Sequence, residues 1–208
     1  MRTITKIAIA AIAIGLALVA SPTTTAPLFE PNESVVILKD DDGHGTAFHI
    51  GNGVYLTAKH VTQNIKDGAI IQFEDGQTAF IEDIKSDPKE DISSFRSKKI
   101  DTKFSVNCNT PKTGENVRVI GHPTNDVFIT SFGKISSSRE TTNNGFTYIV
   151  SNVTVVPGNS GGPAINDKNQ VIGLVSAVKT RGFSLTNFSY LVAPSKICEF
   201  ISKNNLTI

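Results

Sequence analysis

The 208-residue sequence carries almost no net charge, +1 from 20 basic and 19 acidic residues, and it nowhere gathers lysine and arginine with interleaved aromatics. That excludes the electrostatic footprint of a nucleic-acid surface, and no nucleic-acid partner is expected. Cysteine is scarce, with only Cys108 and Cys198, and neither stands in a nucleophile motif. Of the four histidines, His44 and His49 lack the spacing of a helical zinc motif, and His122 sits in a Gly-His-Pro turn. The acidic run Asp40, Asp41, Asp42 is followed by no calcium-loop spacing and reads as a solvated turn, so no metal and no cofactor are implied. Repeats and low-complexity tracts are also missing.

What is present begins at the N-terminus. Arg2 and Lys6 precede the apolar run at 7–20, and the polar "SPTTTAP" follows. These are the charged, apolar and polar regions of a secretory signal, so export is expected. The run is shorter than the roughly 20 residues that span a bilayer, which favours a cleaved signal over 1–20. A cut after Ala20 leaves Leu18 where a small residue is preferred, so an uncleaved anchor stays open as the one route to a membrane. In an exported chain, a disulfide between Cys108 and Cys198 is plausible wherever the fold brings them together.

Behind an extension at 21–33, short runs rich in Val, Ile, Phe and Thr recur with Gly, Asn and Asp between them, which is the rhythm of an all-β protein. Six runs fall within 34–100, including "TAFIEDI" at 78–84, and six more within 116–193. A polar, proline-containing connector at 101–115 separates them. The expectation is two packed six-stranded antiparallel barrels. In the last stretch, 194–208, Pro194 and Ser195 precede Ile197, Phe200 and Ile201 at helical spacing, predicting a C-terminal α-helix.

The chemistry-bearing stretch is "PGNSGGPA", 157–164, where three glycines and two prolines surround Ser160. A serine in a glycine-rich turn is ordinary on its own. Two earlier motifs change its meaning: "YLTAKHVT" presents His60 after a strand, and "DPKEDISSF" sets Asp91 before one. Asp83 and Asp87 compete with Asp91, which is preferred because its Asp-Ile pair stands just before a strand. The order His, Asp, Ser, with "GTAFHI", "GNSGGPAIND" and "VIGLVSA", resembles the trypsin-like (chymotrypsin-fold) serine endopeptidases over most of the chain. "GENVRVIGHP" and "FSYLVAPS" are similar to the bacterial HtrA-like branch. The chain leaves no room for that branch's PDZ domain, and nothing in it specifies an oligomeric state.

The resemblance implies that Ser160 attacks a peptide carbonyl, His60 moves the proton and Asp91 orients the imidazole. It implies an oxyanion hole from the backbone N–H groups of Gly158 and Ser160. It implies a substrate pocket near Thr154, Val178 and Phe188, with the backbone of Ser176, Ala177 and Val178 pairing to an extended protein or peptide substrate. Thr154 stands where cleavage after Lys or Arg requires an acid, which disfavours those residues, and Val178 and Phe188 narrow the implied pocket, so cleavage after small or medium aliphatic residues is expected. Asn159 occupies the place where zymogen-activated relatives carry an aspartate that pairs with a new N-terminal amine. A neutral amide cannot form that ion pair, so activity without zymogen cleavage is expected, with Asn159 making neutral hydrogen bonds. A protease fold that only binds is the rival reading, separated by whether Ser160 reacts.

Overall fold

The computed structural model describes residues 31–39, 43–63, 65, 69–143, 145–181 and 184–208, with the backbone alone for residue 31 and for 177–181 and 184–186. The signal-like segment, most of the N-terminal extension and the Asp40–Asp42 run lie outside them. Among the described residues no helix is long and apolar enough to cross a membrane.

The first half forms β1 Val35–Lys39, β2 His44–Gly51, β3 Val54–Thr57, the short helix α1 Lys59–Thr62, β4 Ile70–Gln72, β5 Thr78–Phe80, β6 Glu82–Ser86 and β7 Ser93–Arg96. The strands pair in the order β5-β4-β1-β2-β3-β7-β6, one more than the six expected. The extra strand arises because "TAFIEDI" breaks. Ile81 turns its N–H to Ala69 O at 3.2 Å, and Asp83 takes a positive φ of 51°. The segment before the break pairs with β4 and the one after it with β7. A single bent run thus closes the sheet at a corner, as bulged and kinked strands do in barrels.

The second half contains β8 Ser105–Val106, β9 Asn116–Gly121, β10 Ile129–Asn143, β11 Phe146–Ser151, β12 Pro163–Ile165, β13 Gln170–Arg181 and β14 Ser184–Val192. Six antiparallel strands close into a ring through the β12–β13 pairing. The connector supplies β8, which adds to β13 in parallel. Helix α2, Pro194–Lys203, starts with proline at its first turn, where the missing N–H costs nothing. It buries Ile197 and Phe200, each contributing about 1.5–3 kcal/mol of apolar transfer. A disulfide joins Cys198 on this helix to Cys108 in the connector, with Cα atoms 5.8 Å apart.

One core cluster belongs to both halves. Val35, Phe48, Leu56 and Ile92 from the first pack with Ile120, Ile165, Leu174 and Val192 from the second. The seam between the barrels is therefore a packed interface, and residues along its rim are held in register across it.

Candidate active site

Strand β3 ends at Thr57, and α1 begins two residues later with His60 in its first turn. The Thr62 and Ser93 hydroxyls, hydrogen-bonded at 2.9 Å, pin this helix to β7. Asp91 lies two residues before Ser93, so one short bond sets the distance between the two motifs. The outcome is a doubly held carboxylate. His60 Nδ1 lies 2.9 Å from Asp91 Oδ2, and the His60 backbone N–H donates to Oδ1 at 3.0 Å. Asp83 and Asp87 are employed elsewhere. Asp83 pairs on the surface with Lys85 and Arg96, and Asp87 accepts the N–H groups of Lys89 and Glu90.

Burial by itself would raise the Asp91 carboxyl. The His60 ring, its charge and backbone N–H, and the Ser176 hydroxyl outweigh that and hold Asp91 below the usual carboxylate range. The Ser176 hydroxyl donates to Asp91 Oδ2 and lies 3.1 Å from the Tyr148 hydroxyl. Tyr148 stacks on Tyr190 at 5.1 Å, and burial pushes its phenol up to about 12. A chain of hydroxyls from the second barrel thus stabilises a carboxylate of the first. Neither tyrosine stands out in the sequence, because strand tyrosines are common and only the fold aims these inward.

Ser160 comes from the opposite barrel, in the loop between β11 and β12, and shares a cleft of about 290 Å³ with His60. Leu38, Val61, Ile65 and Pro157 give the cleft apolar walls, and His44 gives it a polar one. The Ser160 hydroxyl donates to the Ser176 carbonyl at 3.4 Å, and no hydrogen bond joins it to His60. A serine hydroxyl moves among three staggered positions, and such contacts tighten when substrate arrives.

The loop around Ser160 has an informative backbone inventory. The carbonyls of Pro157, Gly158, Asn159 and Ser160 accept in turn from Thr124 N at 2.9 Å, Thr46 Oγ1 at 2.7 Å, Gly162 N at 3.0 Å and Thr46 N at 2.8 Å. The N–H groups of Asn159, Gly161 and Gly162 all have backbone acceptors. Proline has none to place. Within residues 157–162, all of them described, only the amides of Gly158 and Ser160 lack an acceptor, and backbone donors are seldom left so. Gly158 holds φ at +98°, and a Cβ there would lie 2.0 Å from His122 O, so no other residue fits.

Asn159 is 3% exposed and its side chain makes no hydrogen bond among the described residues. The expected neutral hydrogen bonds are absent because neighbouring main-chain and threonine donors already hold the loop. His49 and His122 are interior groups. His49 accepts the Gly53 N–H and donates to Thr102 O, while His122 accepts the Phe128 N–H on Nδ1. No cluster of three or more His, Cys, Asp or Glu is placed to hold a metal among the described residues.

The pocket residues expected from sequence fall outside the cleft that holds Ser160 and His60. Thr154 and Phe188 are exposed, Phe188 by 44%. Ala177 and Val178 pair through β13 with Tyr190 and Ser189 of β14. The other edge of β13 pairs with β12 only as far as Leu174, and among the described residues no strand covers it from Ser176 onward.

Comparison with known proteins adds a family. The sequence profile described as "Trypsin-like peptidase domain" matches residues 45–174. A probable periplasmic serine endoprotease, DegP-like, of Pseudomonas putida (strain F1) is 29% identical over 153 residues, 71% of this chain and 32% of that one. Its counterpart in Pseudomonas fulva (strain 12-X) is 30% identical over 156 residues, 73% and 32% of the two chains. The chain thus spans about a third of the length of these relatives. Among solved structures, the active form of the Rv3671c protease from M. tuberculosis superposes with a TM-score of 0.76 at 19% identity, covering 86% of this chain and 83% of that one. The HtrA-type protease AlgW with a tripeptide gives 0.69 at 22% identity, covering 83% and 60%. At such identities the structural likeness speaks for the fold.

Proposed function

The chain belongs to the trypsin-like peptidase family, and from that premise we propose that it is an exported serine endopeptidase working through Ser160, His60 and Asp91. The observation that carries the reading is the convergence on one cleft of a carboxylate-held imidazole, a serine, and two backbone amides with no acceptor.

Each part has a chemical task. The Ser160 hydroxyl swings from the Ser176 carbonyl to His60 Nε2, which takes its proton as the oxygen attacks the scissile carbonyl. The resulting oxyanion takes the place of the missing acceptor for Gly158 and Ser160, a form of stabilisation worth about 3–4 kcal/mol per donor. His60 then gives the proton to the leaving amine, and water repeats the cycle on the acyl-enzyme. Asp91 keeps the ring in the tautomer with Nε2 unprotonated and stabilises the imidazolium.

The substrate is a protein or peptide in extended form, adding along the uncovered edge of β13. The residue before the cut is small or medium aliphatic, since Thr154 offers no acid to hold Lys or Arg. The leader at 1–20 and the periplasmic naming of the DegP-like relatives support export. No zymogen cleavage is required, since the carbonyls around Asn159 are held by donors already in place.

Labelling by a fluorophosphonate probe tests the reading. Wild-type protein should label and should cleave a mixed peptide library, and Ser160→Ala and His60→Ala should do neither. Absence of labelling in folded wild-type protein would instead assign a protease-fold binding module. Library products dominated by cuts after Arg, Glu or Phe would refute the aliphatic preference.

A further inference from the structure

Residues Val156–Asn159 form a β-turn closed by the Asn159 N–H on Val156 O at 3.1 Å. Proline fixes φ near −65° at the second position, and Gly158 holds +98° at the third, which makes the turn type II. A type I turn joins the same ends with the middle peptide rotated by roughly 180°. In the observed state the Pro157 carbonyl faces outward to Thr124, and the Gly158 N–H, antiparallel to it across a trans peptide, faces the opposite way. Rotation would exchange them, aiming a carbonyl where the oxyanion must sit. The turn is thus an element with two positions, one of them useless for acyl transfer.

Groups outside the turn select the position. The Thr124 N–H holds the rotating peptide by its oxygen. Thr46, wholly buried on β2, holds the peptide next to it, because its hydroxyl donates to Gly158 O and its amide to Ser160 O. The Thr46 carbonyl in turn takes the Thr57 hydroxyl at 2.7 Å, three residues before His60. Thr124 is itself strained, a β-branched residue at φ +52°. Its loop is braced on the other side by His44 Nε2–H, which donates to His122 O at 2.8 Å. Strain at a residue whose one observed task is to hold this peptide marks a functional constraint.

We propose that Thr46, through its hydroxyl, and Thr124, through its backbone amide braced by His44, are positioning groups that keep the Gly158 N–H turned to the substrate carbonyl. The proposal rests on the protease reading above and deepens it. It makes the first barrel responsible for the readiness of the second barrel's oxyanion site.

The test compares Thr46→Val, which keeps the shape and removes the hydroxyl, with Thr46→Ser, which keeps the hydroxyl. In the full chain, Thr46→Val should lose about tenfold in kcat with KM nearly unchanged. It should lose affinity for a peptide aldehyde, which forms an oxyanion on Ser160, by a similar factor, while binding of the matching peptide amide stays constant. Thr46→Ser should restore most of both. Equal loss in the two variants, or none in either, overturns the role of Thr46. His44→Ala, an exposed change at the head of β2, should lower kcat and aldehyde affinity several-fold, and unchanged values overturn the brace. A crystal structure of Thr46→Val reads the peptide whether or not the protein cleaves anything. A Pro157 carbonyl turned into the cleft supports the proposal, and one still on Thr124 refutes it. Wild-type protein that neither labels nor cleaves counts against the protease reading, which keeps the two failures apart.

Discussion

Asp91 meets His60 at two points, with Oδ2 2.9 Å from the ring Nδ1 and Oδ1 accepting the backbone N–H at 3.0 Å. Both carboxylate oxygens serve one residue, so the ring cannot tilt without stretching a second bond. An amide has only one acceptor oxygen. Asp91→Asn should therefore fold, present NH₂ to one of two donors, and force the tautomer whose Nε2 carries a proton. Peptide hydrolysis near neutral pH should fall by about 10⁴-fold. A loss under tenfold would show that His60 does not rely on Asp91.

Gly158→Ala places a methyl 2.0 Å from His122 O at a φ that alanine avoids. The variant should lose about 10²–10³-fold in kcat through a displaced amide. Thermal unfolding should register a cost of about 1–3 kcal/mol. Retained kcat would mean that the Gly158 amide is not an oxyanion donor.

His122 is fully buried, and burial lowers its imidazole to about 4, with His44 and Lys39 adding smaller repulsions. The folded value lies below the unfolded one, so the native state disfavours the proton. Stability should be fully present above about pH 6.5 and lost as pH falls toward about 4, by about 3 kcal/mol. His122→Asn, whose Oδ1 can replace Nδ1 as acceptor for the Phe128 N–H, should flatten this part of the profile. Denaturant midpoints measured between those pH values decide it.

The disulfide from Cys108 to Cys198 closes a loop with a sequence separation of 90. Replacing both cysteines by serine should destabilise the chain by about 4–5 kcal/mol in the loop-entropy account. The measurement is the unfolding midpoint, and a variant that unfolds where the oxidised wild type does, or a wild type whose midpoint does not fall on reduction, would place the stabilisation elsewhere.

Chains beginning at several positions between Ser21 and Pro31 should hydrolyse peptides at similar rates. Dependence on one new N-terminus would show that an amine, not Thr46 and Thr124, orders the loop.

The residues at the heart of the site were legible in sequence, because Ser160, His60 and Asp91 sit in compact motifs set by turns and strand ends. The strand rhythm conveyed the two barrels, but not the corner at Ile81, where the kink comes from an N–H turned to Ala69, nor β8 in the connector, which pairs only because β13 offers an edge. Thr46 was invisible because its partner is 112 residues away and threonine in a strand is ordinary. Asn159 was noticed for what it cannot do, while the hydrogen bonds assigned to it fall to its neighbours' carbonyls. Long-range hydrogen bonds leave no local pattern to read.

His60 and Asp91 reside in one barrel and Ser160 in the other, across a core that both must complete. A chain that emerges N-terminus first makes its base and acid early and its nucleophile late. On the protease reading, a partly folded molecule is therefore harmless to itself and its neighbours. On that reading cleavage would wait until the last barrel has closed and helix α2 has docked, a restraint set by the order in which the architecture is completed.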